Sequence, residues 1–245
     1  MKKFILSIFL CLLCSTAYAD IATGLVGWWK FDEATAGTCG GANILDATAN
    51  TNTGTCHANP TWMVGHIGKG AMAFVSATAQ YVQTTKATNI PATNAAQSFS
   101  AWVHCTTATA VMDIVVTENG TQGNQLRTTA TGYLQVSQWG GGTTVTATTL
   151  PLTTTGWYMV TWTSTGALAG QALYVNGVAC TVTTTTAPQT GTPTGVVIGS
   201  YDGGEYFNGD IDDARIYNRV LAPADITQLY LYTGKAGGFF TLNSR

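Results

Sequence analysis

Phe207-Asn208-Gly209-Asp210-Ile211-Asp212-Asp213-Ala214-Arg215-Ile216-Tyr217-Asn218-Arg219-Val220-Leu221 decides the fold of this chain. Asn208-Gly209 is a turn dipeptide. Behind it, Ile211 and then Ala214, Ile216 and Val220 are the apolar members of an alternating strand, the pattern of a strand with one buried face. Asp210, Asp212 and Asp213 crowd its beginning. Carboxylates this close repel one another unless a cation or basic partner lies among them. The strand runs into Ala222-Pro223-Ala224-Asp225-Ile226-Thr227-Gln228-Leu229-Tyr230. Pro223 near the first turn and Asp225 beside the positive helix end predict one short helix over 221–231.

The chain ahead of this stretch reads as short strands with turn chemistry between them. Leu25-Val26-Gly27-Trp28-Trp29-Lys30-Phe31-Asp32-Glu33 is dense in aromatic residues, as expected of a strand packed on both faces. Residues 34–59 are rich in Gly, Thr, Asn and Ala and read as loop. In 98–105, Phe99, Ala101, Val103 and Cys105 share one face, while Ser100, Trp102 and His104 share the other. Ile114–Val116, Gln125–Arg127, Tyr133–Val136 and Thr143–Thr146 are further strand candidates, punctuated by glycines. Residues 156–162 and 173–180 form a pair of strands, the second broken by Asn176-Gly177, the strongest hairpin signal present. Residues 181–195 read as a Thr/Pro loop, and Val196–Gly199 as another strand. Strands recurring about every ten residues argue for a sandwich or jelly roll.

The order of these motifs resembles the laminin-G-like, concanavalin A-like jelly rolls. "G-x-I-D-D-x-R-I-Y-N-R-x-L" followed by a short helix resembles that family's closing strand. Trp29 to Glu33, then Asp46-Ala47-Thr48-Ala49-Asn50 and Gly54, are similar to its opening. Residues 65–74, Tyr81-Val82, 98–103, 157–162 and Leu173–Gly177 are similar to its middle strands. The resemblance spans roughly residues 24–232 and implies an all-β fold, a two-sheet antiparallel jelly-roll sandwich with one short C-terminal helix. It also implies that the first and last strands lie side by side.

Composition narrows the partners. Residues 1–19 read as a secretory leader: Lys2 and Lys3, an apolar run from Phe4 to Leu13, and Ala17-Tyr18-Ala19. Residues 20–245 are then one exported jelly-roll domain, extracellular or periplasmic. Removing Lys2 and Lys3 from the 10 basic residues leaves 8 against 12 acidic ones, a net charge of −4. No basic patch points to nucleic acid, and no apolar run after the leader is long enough to span a membrane. Cys39, Cys56, Cys105 and Cys180 remain after the leader, and an even number in an exported chain argues for disulfides. Sequence alone leaves the pairing open, with a buried free thiol as the alternative. The expected bridges are Cys39–Cys56, which closes a short loop, and Cys105–Cys180.

Three kinds of site follow. The family often holds a structural calcium near its first and last strands, and Asp32, Asp46 and Asp212 match its acidic positions. Calcium takes about six to eight oxygens; the competing reading is that these acids brace turns and pair with Arg215. A glycan surface needs exposed aromatic rings and polar groups, and Trp139, Tyr201, Tyr206, Gln125 and Arg127 are the candidates, with Trp62 beside them. Trp28, Trp29, Trp102, Trp157 and Trp162 are assigned to the core. Hydrolase chemistry would need a paired-carboxylate strand, and Asp210 with Asp212 is the one pair spaced for it. The expected function is a non-catalytic binding module for an extracellular glycan or cell-surface partner, stabilised by calcium. The alternatives are an adhesive or structural subunit that self-associates, and a glycoside hydrolase.

Overall fold

The structure is a computed structural model that describes residues 20–41, 43–120, 122–138, 142–201 and 204–232. The expected leader, residues 1–19, and Trp139 lie outside these residues. In chain order the strands are β1 (Leu25–Trp29), β2 (Gly37–Thr38), β3 (Asn43–Ile44), β4 (Gly54–His57), β5 (Thr61–Val64), β6 (Gly70–Phe74), β7 (Tyr81–Thr84), β8 (Gln97–Cys105) and β9 (Met112–Glu118). There follow β10 (Asn124–Thr128), β11 (Leu134–Gln138), β12 (Gly142–Ala147), β13 (Trp157–Ser164), β14 (Gln171–Val175), β15 (Val178–Ala179), β16 (Val182–Thr184), β17 (Gly195–Ile198) and β18 (Gly209–Tyr217). Helix α1 (Pro223–Leu231) closes the described chain.

Two antiparallel sheets form a jelly-roll sandwich. The first runs β15-β14-β13-β8-β18-β6-β5-β2, with β1 also on β18. The second runs β16-β12-β11-β10-β9-β17-β7-β4-β3. The period-2 pattern of β8 is borne out. Phe99, Ala101, Val103 and Cys105 enter the core between the sheets, where Phe99 meets Trp162 edge-on at 5.1 Å. Trp102 faces outward into a smaller cluster with Met159, Tyr217, Leu221, Ile226 and Leu229, which seats α1 on the first sheet. The Asn176-Gly177 turn has positive φ at both residues, 52° and 79°, as a type I′ hairpin requires.

β18 explains the broken alternation of its sequence. Its pairing with β8 shifts register between Asp212 and Arg215, and Asp213 adopts φ 52°. This bulge lets Ile211, Ala214 and Ile216 all enter the core although an odd step separates Ile211 from Ala214. β18 pairs with β8 on one edge and with β6 and then β1 on the other. The opening and closing strands therefore meet, Trp29 opposite Ala214.

Three expectations need correcting. Residues 34–59 are not plain loop, since β2, β3 and β4 lie there, and β16 lies in the 181–195 segment. Trp28 and Trp157 are half-buried rather than core residues. The second disulfide does not form: Cys39–Cys56 is bridged with Cα atoms 6.1 Å apart, while Cys105 and Cys180 are free thiols. Cys105 lies on β8, and Cys180 follows β15, three strands away in the same sheet. At about 4.8 Å per strand that is roughly 14 Å, against a Cα limit of about 7 Å for a bridge. Burial pushes both thiols up, Cys105 to about 12 and Cys180 to about 11, so neither is a reactive thiolate.

The Cys39–Cys56 bridge spans 17 residues. Reduction is expected to cost about 3 kcal/mol, a fall of roughly 6–12 °C in melting temperature. The C39S/C56S double variant should melt at the lower temperature and no longer respond to reductant. A remaining response would reveal a bridge between the other two cysteines.

Candidate functional site

Cross-strand register gathers the sugar-site candidates on the outer face of the second sheet. Val197 opposes Gln83 on β7 and Val116 on β9. Val116 opposes Gln125 on β10, and Arg127 opposes Asp113 on β9 and Gln135 on β11. The neighbours of these residues, Val82, Val115, Ile198 and Leu126, point into the core. Gln83, Gln125, Arg127, Asp113 and Gln135 therefore share the face turned away from the first sheet.

Aromatic rings extend this face. His57 stacks on Tyr81 at 4.4 Å with planes 5° apart, and Tyr81 meets Tyr206 at 6.4 Å. Tyr201 packs with Val116, Val197 and Tyr81. Of the expected ligand residues, Gln125, Arg127, Tyr201 and Tyr206 are brought together. Tyr201 and Gln125 are largely buried there and support the surface, whereas Tyr206 and Arg127 are partly open. Trp62 opposes Met72 and belongs to the core.

Arg127 is held from two sides. Its Nε donates to Gln135 Oε1 at 2.9 Å, and its Nη1 donates to Glu205 Oε2 at 2.8 Å. Gln135 Nε2 in turn donates to Thr146 Oγ1 at 3.0 Å. Beside this chain, Gln83 Nε2 donates to Glu118 Oε1 at 2.6 Å. Asp113 lies beneath, fully buried, with neither carboxyl oxygen hydrogen-bonded. Burial, and then the Glu205 carboxylate, push its pKa well up, and Arg127 opposes them only partly. Burial thus favours its protonated form. The Asp113 backbone N–H donates to Glu205 O at 2.8 Å, which ties the loop before β18 to this face. Asp113, Glu205, His57, Tyr81, Gln83 and Gln135 were missed from the sequence. The one signal available was the two-residue spacing of Tyr81 with Gln83 and of Gln125 with Arg127, which marks common faces.

The acidic positions near the first and last strands form a different arrangement. Asp212 Oδ2 accepts from the backbone N–H groups of His66 and Ile67, at 2.9 and 2.8 Å. Asp32 Oδ1 accepts from those of Lys69 and Gly70, and Lys30 Nζ lies 3.2 Å from Oδ2. Two carboxylates thus clamp the tight turn between β5 and β6. Gly68 has φ 67° there, and a Cβ on it would come within 2.7 Å of Asp32 Oδ1. Asp46 lies elsewhere. Its Oδ1 takes Trp28 N–H and Thr48 N–H, and its Oδ2 takes Thr48 Oγ1 and Asn52 N–H. Four donors fill both of its oxygens, and Asp46 braces the turn over 46–52.

The three expected calcium ligands are therefore not one donor set. Among the described residues no three of His, Cys, Asp and Glu are grouped as a metal ion would need. The fit to calcium reduces to Asp212, whose Oδ1 is buried without a partner, and its neighbour Asp32. The pair spaced for hydrolysis is also committed: Asp210 Oδ2 lies 2.9 Å from His104 Nδ1, and Asp212 holds the turn amides.

No curated protein sequence matches this chain. Among solved structures, domain 4 of AbnA, a GH43 extracellular arabinanase from Geobacillus stearothermophilus in complex with arabinotriose, superposes with a TM-score of 0.64. Identity is 18%, covering 84% of this chain and 98% of that domain. The binding domain of Paraclostridial Mosquitocidal Protein 1 also reaches 0.64 at 13% identity, over 86% of this chain and 52% of that one. The receptor-binding domain of botulinum neurotoxin D reaches 0.59 at 14% identity, over 86% and 53%. This chain thus spans about half of each toxin domain. At such identities the likeness is one of fold. A family model of the concanavalin A-like lectin/glucanases superfamily, Laminin_G_3, matches residues 76–227, and the chain belongs to that family.

Proposed function

We propose that this protein is a non-catalytic glycan-binding module whose site is the outer face of the second sheet. The observation that carries the proposal is Arg127, fixed between Gln135 and Glu205, on the face where Tyr206, the residue after Glu205, meets the Tyr81 ring. Rings offer apolar faces to the C–H groups of a sugar, and a fixed guanidinium–carboxylate pair offers a donor and an acceptor to its hydroxyls. Ligands of this type are held by a few placed polar groups on an apolar floor. Val116 and Val197 pack beneath Tyr201 and brace that floor from below. Similar structures, an arabinanase domain in complex with arabinotriose and toxin receptor-binding domains, support binding as the role. The commitment of Asp210 and Asp212 to His104 and to turn amides supports a role without catalysis. Export is part of the proposal, on the strength of residues 1–19, and the Cys39–Cys56 bridge suits an oxidising compartment. No helix among the described residues is long and apolar enough to cross a membrane.

Calorimetric titration with arabinotriose, xylotriose and galactotriose tests the site. Binding is expected for at least one of them. Y206A and R127A should each weaken it about tenfold or more, the loss of roughly 1.4 kcal/mol or more, while melting stays within a few degrees of the parent. Undiminished binding in both variants would move the site elsewhere.

A further inference from the structure

We infer that this site selects neutral sugars carrying adjacent free hydroxyls and rejects acidic ones. The inference rests on the glycan-binding reading and narrows its ligand class. Two of the three guanidinium nitrogens of Arg127 are already engaged, Nε by Gln135 and Nη1 by Glu205. Of the two forks that a carboxylate or sulfate could grip bidentately, the Nε–Nη2 fork is closed by Gln135, and Nη1 of the other already binds Glu205. Nη2 and Glu205 Oε1 make no hydrogen bond among the described residues, in side chains that are 15% and 39% exposed. Remaining N–H donors paired with a carboxylate acceptor suit two neighbouring hydroxyls. The first gives its proton to the carboxylate, and the second takes one from the guanidinium.

The charge inventory points the same way. Glu205 and Glu118 are acidic on this face, and Arg127, already neutralised by Glu205, is its basic side chain, with the His57 ring at its far side. Lys86 lies beyond the end of β7. Lys30 and Lys69 belong to the clamped turn near Asp32. Arg215 and Arg219 belong to the β18 and α1 region. Among the described residues of this face, a bound anion would therefore meet carboxylates with no free cation to offset them, at a cost that rises as water is excluded. Fully buried Asp113 stands behind Glu205 with both oxygens unpartnered. Its burial and the Glu205 carboxylate both oppose a second charge there.

Matched ligands test this directly. Galactotriose and trigalacturonate differ by a carboxylate in place of each hydroxymethyl group, and lactose and sialyllactose differ by one acidic sugar. Titrations at pH 7 and low salt should give at least tenfold tighter binding of the neutral member of each pair. E205Q keeps the side-chain shape but lowers the acceptor strength and the charge. It should weaken neutral binding about tenfold and narrow the gap to the acidic partner. O-methylation of adjacent hydroxyls on the neutral sugar should abolish its binding, a readout that needs no variant to fold. Acidic ligands bound as tightly as neutral ones, with Y206A abolishing both, would overturn the inference while leaving the glycan site standing. Failure of every sugar to bind would overturn both.

Discussion

Arg215→Ala is expected to lower the melting temperature by roughly 6–20 °C, the consequence of about 3–5 kcal/mol lost when one partner of a buried ion pair is removed. Arg215 is 2% exposed. Its Nη2 lies 2.8 Å from Asp213 Oδ2, and its guanidinium carbon is 4.7 Å from the ring centres of both Trp28 and Tyr232. Trp28 Nε1 donates to Asp213 Oδ1 at 2.6 Å. Deleting the guanidinium strands a buried carboxylate with one indole N–H, and it unpins the residue after α1 from the opening strand. The size of the loss comes mostly from that stranded charge, not from the worth of the pair. Replacing both members, Arg215→Met with Asp213→Asn, should therefore recover most of it. A double variant as unstable as R215A would show that the cation–ring stack, and not the ion pair, does the holding. Thermal melts of the three proteins at fixed pH decide between them.

The second large effect is a pH slope set by Asp212. Burial pushes its pKa up to about 8 from an ordinary 3.8, helped by the neighbouring Asp213 and Asp32 carboxylates and opposed by the Ile67 and His66 amides. A carboxyl whose pKa is raised on folding holds its proton more tightly in the folded state. Its contribution to stability is full below about pH 4, falls as pH rises, and is gone above about pH 8. At about 1.4 kcal/mol per pKa unit the span is a few kcal/mol. Asp212→Asn keeps an acceptor for the two turn amides and cannot ionise. Its melting temperature should exceed the parent's at pH 8 and match or fall below it near pH 4, the difference growing steadily between. Parallel curves would remove the argument. The same experiment tests the calcium that the family resemblance leads one to expect. Calcium would favour ionised Asp212, so its addition at pH 8 should raise the parent's melting temperature and leave D212N unchanged. A parent indifferent to both calcium and chelator would remove calcium without touching the slope.

The parts of the fold that sequence revealed are those whose signal is local. β8 shows its two faces because one core residue alternates with one outward residue along its length. The Asn176-Gly177 turn is visible because few other dipeptides accept positive φ twice. β2 and β3, of two residues each, have no alternation to show, and their pairing is decided by tertiary contact. The bulge at Asp213 was readable only as a skipped beat between Ile211 and Ala214. At the site, Tyr206, Arg127 and Gln125 could be named one by one. Asp113 and Glu205 could not, because what makes them matter is the register of β9 on β10 and a loop that arrives from the far end of the chain. The free cysteines follow the same rule. Even parity suggested a second bridge, but the order of β15, β14, β13 and β8 separates its two ends.

The place of β18 has a consequence for how the molecule is made. It lies between β8 and β6, so before it docks the first sheet is two pieces, β15-β14-β13-β8 and β6-β5-β2, with β1 attached to neither. A nascent chain that has not yet released residue 217 has no partner for most of β1 and no closed core on that side. Productive folding waits for the last strand, and the apolar edges of β8 and β6 stay open to wrong partners until it arrives.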